Sequence, residues 1–138
     1  MGGRNVIFDT NILIMLEREL RRQKTGQAIR FVSELPETRM CITPTIAGEF
    51  CSGISMSKRP VWESFCSAYE ILPITSDTSW HYGEIYRHLS NQGQLIGTND
   101  MWIAATALTH NLPILTANAR EFDRVPNLQV IGLSERLD

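Results

Sequence analysis

The chain is short of several features that would fix its chemistry at once. It has three cysteines in 138 residues, Cys41, Cys51 and Cys66, an odd number with no C-x-x-C spacing. That argues against a disulfide framework or a cysteine zinc site and for a reducing compartment, the cytoplasm, with three buried or inert thiols. Charge of one sign is missing too. Thirteen Lys and Arg stand against fifteen Asp and Glu, a net charge of −2, so there is no broad basic field for nucleic acid or anionic lipid. Any nucleic-acid binding must rest on a local patch. The apolar run around Ile12 to Leu16 falls far below the roughly 20 residues of a membrane span, and no signal-peptide core opens the chain. His81 and His88 are seven apart, which is not the H-x-x-x-H spacing of a helical zinc pair. No Ser, Cys or His stands in a recognisable nucleophile motif, so triad chemistry has no support.

What is present is the length of one domain, 1–138, built from short apolar runs alternating with helical patterns. Val6-Ile7-Phe8 reads as a strand buried on both faces and stops at Asp9. In open parallel sheets that carboxyl edge is where ligands bind. Taken alone, Asp9 or Thr10 is better explained as the N-cap of the next helix. That helix spans 11–20, with Ile12, Leu13, Leu16 and Leu20 at helical spacing, and another covers 25–35 up to Pro36. The basic cluster Arg18, Arg21, Arg22 and Lys24 between them reads as a solvated face or a phosphate contact.

Met40-Cys41-Ile42 reads as a second strand, and Thr43-Pro44 as a helix start with Thr as cap and Pro in the first turn. This helix turns Ile46 and Phe50 to the core and sets Glu49 along the core's edge, where a glutamate is ordinarily just solvated. A helix over 61–69 carries Trp62, Phe65 and Tyr69, which read as core rather than a base-stacking platform. A short strand follows at 71–74, then a helix capped by Ser76-Asp77 and running to about Asn91. Thr98 or Asn99 caps a further helix whose Ala104, Ala105 and Ala107 permit close approach to a sheet. Asp100 lies in its first turn, where the helix dipole alone accounts for an acid. Asn111 ends it, strands follow at 112–116 and 128–131, and Asn118, Arg120 and Glu121 come after the first of these.

The alternation implies an α/β fold, a mostly parallel central sheet with helices on both faces. In such a sheet Asp9, Glu49 and Asp100 can converge on one edge, with Thr116 to Asn118 beside them. Converging carboxylates repel and raise one another's pKa unless a cation neutralises them, and oxygen-only ligands favour Mg²⁺ or Mn²⁺ over zinc.

Four stretches in register, Phe8-Asp9-Thr10-Asn11, Glu49 after Thr43-Pro44, Asn99-Asp100-Met101-Trp102-Ile103-Ala104-Ala105 and Thr116-Ala117-Asn118-Ala119-Arg120-Glu121-Phe122, resemble the PIN-domain ribonucleases, most of all the VapC-type toxins. The resemblance covers nearly the whole chain. It implies a three-layer sandwich and a metal-dependent endoribonuclease that leaves a 5′-phosphate and a 3′-hydroxyl. It makes Asp9 and Asp100 the main ligands of one or two Mg²⁺ or Mn²⁺ ions, with Glu49 completing the set directly or through water. Where the family often has a fourth acid this chain has Asn118, so a neutral carbonyl or Glu121 must serve. The resemblance further implies an RNA substrate, a small antitoxin partner and a homodimer, and no membrane. Asn118 is the one feature favouring a different reading, a weakened PIN-like module that binds RNA or protein without cutting. A phosphoaspartate phosphatase fits poorly, because Asp9-Thr10-Asn11 lacks a second Asp two residues on.

Overall fold

The computed structural model describes residues 5–35 and 38–133. At its centre is β1 (Asn5–Phe8), whose Val6, Ile7 and Phe8 are all buried. β2 (Arg39–Ile42) pairs with one side of β1 and β4 (Ile114–Thr116) with the other. β3 (Glu70–Ile71) lies outside β2 and β5 (Val130–Gly132) outside β4. The sheet order is β3-β2-β1-β4-β5 and every pairing is parallel. The expected α/β sheet is therefore found, and it is parallel throughout. The chain starts in the middle strand, winds outward to β3, then crosses to the other side of β1. Right-handed crossovers in these two directions lay helices on opposite faces, giving three layers. The reversal also makes the carboxyl ends of β1 and β4 the switch point of the sheet, where neighbouring loops diverge and leave a crevice.

The connecting helices follow from local chemistry. α1 (Thr10–Arg21) buries Ile12, Leu13, Met15 and Leu16. Leu20, expected on the same face, is 59% exposed. A 12-residue helix, about 18 Å long, overruns a four-residue strand of about 13 Å. α2 (Gln27–Ser33) is shorter than the expected 25–35. It begins where it does because the Glu19 carboxylate, reaching over from α1, accepts hydrogen bonds from the N–H groups of Gly26 (2.9 Å), Ala28 (3.1 Å) and Ile29 (2.9 Å). Pro36, the expected stop, lies outside the described residues.

α3 (Pro44–Cys51) has the expected cap, with Thr43 Oγ1 accepting from the Ile46 N–H at 3.1 Å. After a 3₁₀ turn (Ile54–Met56), α4 (Arg59–Cys66) starts and ends earlier than expected, because Pro60 is tolerated in a first turn. Trp62, Phe65 and Tyr69 pack against the core as anticipated. Phe65 packs at a tilt against Phe50 at 4.9 Å between ring centres, and Trp62 Nε1–H donates to the Ala47 carbonyl at 3.1 Å. Cys41 and Cys66 are buried but Cys51 is exposed, and all three are free.

α5 (Ser76–Asn91) is capped one residue earlier than expected, by Thr75 in a reciprocal box with Thr78. α6 (Thr98–His110) buries Ala104, Ala105 and Ala107 and ends at Asn111, which adopts the left-handed conformation. Its cap is Gly97, so Thr98 and Asn99 lie inside the helix rather than capping it. α7 (Ala119–Phe122) is a single turn with no sequence pattern to announce it. β5 begins two residues beyond the expected Leu128. Among the described residues no helix is long and apolar enough to cross a membrane.

Candidate active site

Asp9 occupies the carboxyl end of β1 at the switch point and is 4% exposed. The N-cap reading of this residue holds, and its place at the strand end leaves the second carboxylate oxygen facing the loop after β4. As N-cap of α1 its Oδ1 accepts from the Thr10 N–H at 2.8 Å. Its Oδ2 accepts from the Thr116 hydroxyl at 2.7 Å and from Asn11 Nδ2 at 3.2 Å. Burial pushes its carboxyl above the usual range, and Glu49 adds to this, while the hydrogen bonds from Thr116, Thr10 and Asn11 work the other way. Asn11 in turn accepts from the Ala117 N–H at 3.0 Å, and Thr116 Oγ1 accepts from the Asn118 N–H at 2.9 Å. The start of α1 is thereby stitched to the loop after β4.

Glu49 projects from α3 toward the same edge. Its Oε1 accepts from the Thr10 hydroxyl at 2.7 Å and its Oε2 from Asn99 Nδ2 at 3.1 Å. Asp100, half-buried in the first turn of α6, is the most perturbed acid of the group, pushed up to about 7. Burial is the largest cause, followed by the charges of Asp9, Glu121 and Glu49 and a hydrogen bond shared with the Glu121 carboxyl. Carboxyls that must share a proton are the mark of like charges gathered in one place.

Of the four residues expected at the site, Asp9, Glu49 and Asp100 are thus brought together from three elements. Asn118 is exposed, and the contact it makes with the cluster is the backbone one to Thr116. The acid that reaches Asp100 is Glu121, carried by α7. Thr10 and Asn99, which stand beside the two aspartates and donate to Glu49, were not singled out as site residues. The available signal was that each is a short polar residue adjacent in sequence to an acid. Arg120 is exposed on α7 next to Glu121. Arg18, Arg21 and Arg22 sit instead in the last turn and C-cap of α1, about 13–20 Å along the axis from Asp9, where Arg21 pairs with Glu17 at 3.0 Å. His81 pairs with Glu84 at 3.1 Å, consistent with a solvated or packing role.

Whether a cation suits this site can be judged from the donors. They are all oxygens and mutually repulsive, which is the chemistry of a Mg²⁺ or Mn²⁺ site. Among the described residues no group of three or more His, Cys, Asp and Glu side chains is arranged to hold a metal ion as it stands. Both Glu49 oxygens already have donors. A pair of aspartates with water filling the remaining positions is nevertheless the usual way Mg²⁺ is held, so Asp9 and Asp100 fit.

Against known proteins, the model of the PIN domain family matches residues 6–128. Ribonuclease VapC of Rickettsia bellii is 31% identical over 134 residues, spanning 91% of this chain and 94% of that protein. Ribonuclease VapC2 of Haemophilus influenzae is 35% identical over 124 residues, 86% and 90% of the two chains. Among solved structures, VapBC2 from Rickettsia felis bound to a DNA fragment from their promoter superposes with a TM-score of 0.79. It is 26% identical and the match covers 94% of this chain and 99% of that one.

Proposed function

The chain belongs to the PIN-domain family, and from that premise we propose that it is a divalent-metal-dependent endoribonuclease, the toxin of a VapBC-like toxin–antitoxin pair. The observation that carries the reading is the convergence of Asp9, Glu49, Asp100 and Glu121 at the switch point of a parallel sheet, where burial first and the neighbouring acids second push the Asp100 carboxyl up to about 7. A purely structural domain gains nothing from gathering four acids at one edge. The ribonuclease names of the relatives from Rickettsia bellii and Haemophilus influenzae support the same activity.

Asp9 and Asp100 would hold Mg²⁺ or Mn²⁺, with Glu49 acting directly or through water and Glu121 as the fourth acid. Such an ion, when bound, supplies an acidified water and stabilises charge on the phosphoryl oxygens. The chain's own residues do the rest. Thr116, Asn11 and the Thr10 N–H fix the Asp9 carboxylate in one orientation. Glu49 accepts a proton or a water hydrogen at the edge of the cluster, and Arg120 at its mouth holds a flanking phosphate of the RNA. Cleavage leaves a 5′-phosphate and a 3′-hydroxyl. Asn118 contributes by its backbone bond to Thr116 and offers its side-chain carbonyl at the rim.

Glu121, which reaches Asp100, offers an acid where Asn118 has none, and this weighs against a binding module that does not cut. The partner is a small antitoxin, in keeping with VapBC2 of Rickettsia felis; the active form is a homodimer, and the compartment is the cytoplasm. The test is cleavage of a structured RNA pool with Mg²⁺ or Mn²⁺, alongside Asp9→Asn, Asp100→Asn and an EDTA control. Discrete cuts that vanish in all three controls are expected. RNA binding without cutting under either metal sinks the nuclease reading.

A further inference from the structure

Resting on that reading, we propose that Asn99, together with Thr10, is a positioning residue that fixes the Glu49 carboxylate for RNA cleavage. A glutamate fixed in a single rotamer gives up side-chain entropy that its partners must offset, and Glu49 projects half-exposed from α3. Each of its oxygens has its own donor: the Thr10 hydroxyl at 2.7 Å on one and Asn99 Nδ2 at 3.1 Å on the other. The placement of the two donors gives the arrangement its meaning. Thr10 follows Asp9 at the start of α1, and Asn99 precedes Asp100 at the start of α6. The clamp therefore fixes Glu49 against both aspartates at once, across separations of 39 and 50 residues.

Among the described residues Asn99 has no competing structural task. It is exposed, it adds nothing to the core, and Gly97 rather than Asn99 caps α6. Its amide is free to point across to α3. Both donors are neutral as well. A Lys or Arg at either place would cancel the charge of Glu49, whereas an amide and a hydroxyl orient the carboxylate and leave its charge intact. A carboxylate has about four lone-pair directions, so each clamped oxygen keeps one for a water or a cation.

The experiment is a double-mutant cycle in kcat and KM on one RNA with Mn²⁺, comparing the parent chain, Asn99→Ala, Glu49→Ala and the double variant. The side-chain amide signal of Asn99 is followed in parallel by ¹H–¹⁵N NMR on the metal-free protein. Asn99→Ala is expected to lower kcat roughly tenfold, the scale of one positioned hydrogen bond, with KM and melting temperature unchanged. In the Glu49→Ala background it should cost nothing further, because residues that act through one another are not additive. The Asn99 amide signal should move when Glu49 is truncated. Additive losses, a raised KM or an unmoved amide signal overturn the proposal, since Asn99 would then contact RNA itself or nothing. Where Glu49→Ala leaves too little activity to compare, the KM-against-kcat split and the amide signal decide. A parent chain that cuts with neither metal, its amide signal intact, sinks the nuclease reading and the positioning role with it, so the two failures are told apart.

Discussion

Thr116 donates its hydroxyl to Asp9 Oδ2 at 2.7 Å across 107 positions of sequence, and both residues are buried where β1 and β4 end. The same hydroxyl oxygen accepts from the Asn118 N–H. Thr116→Val keeps the shape and removes both bonds. A buried carboxylate that loses a partner costs about 1–3 kcal/mol, so urea denaturation should give a lower midpoint at an unchanged slope. Asp9, already raised by burial, should rise further. Thr116→Ser should recover most of the loss. A Thr116→Val protein as stable as the parent removes this bond from the account.

Asp100 makes the metal-free protein sensitive to alkali. Its folded carboxyl titrates near 7, against an ordinary value near 3.8 in the unfolded chain. Between those values the folded state binds the extra proton. Stability is then fully present below the lower value and falls as pH rises through about 7. Asp9 shifts in the same direction. Melting temperature in EDTA should therefore drop from pH 5 to pH 8, and Asp100→Asn should flatten the slope and melt higher than the parent at pH 8. Added Mn²⁺ should restore the parent at pH 8 and leave Asp100→Asn little changed. A parent whose melting point rises over this range contradicts the crowding of the acids.

Much of this site is legible in the sequence because its acids sit at positions that local rules already mark. Asp9 stops an apolar run, Glu49 follows a Thr-Pro helix start, and Asp100 opens a helix rich in alanine. The parallel sheet then brings those positions to one edge. What is not legible depends on distances between elements. The start of α2 is set by Glu19 on α1, not by its own flanking residues. Thr98 and Asn99 look like caps, yet Gly97 takes that role and leaves Asn99 for Glu49. α7 is too short for any periodicity, so the approach of Glu121 to Asp100 has no pattern ahead of it.

Gly26 is where the α1–α2 junction is most sensitive. A Cβ built there meets the Glu19 carboxyl, with its carbon at 2.5 Å, and that carboxylate is held by three N–H groups of the α2 start. It cannot swing aside without abandoning them. Gly26→Ala should destabilise by about 1–3 kcal/mol, the cost of bonds lost to a charged acceptor. Glu19→Gln, which keeps the shape and loses the charge, should cost less. Because the junction lies a helix length from Asp9, kcat of the folded variant should stay at the parent value. A neutral Gly26→Ala in chemical denaturation shows that the carboxylate has another place to go.

Replacing Glu121 should change metal-free stability and metal affinity in opposite directions. In the metal-free protein its charge and its shared hydrogen bond both hold the Asp100 carboxyl up. Glu121→Gln removes the charge and offers an amide N–H to the ionised partner, so the Asp100 carboxyl carbon followed by ¹³C NMR should titrate lower than in the parent, with burial and the charge of Asp9 still holding it above the ordinary value. The variant should also melt higher than the parent in EDTA at pH 8. If Glu121 is the fourth acid of the cation site, the same change weakens Mn²⁺ binding, by roughly tenfold for one lost carboxylate contact near 1.4 kcal/mol. A gain in metal-free stability together with a loss in metal affinity is the expected pair of outcomes by calorimetry. Unchanged Mn²⁺ affinity would leave Glu121 as a neighbour of Asp100 only, and an unmoved Asp100 titration would mean the two carboxyls do not meet in solution.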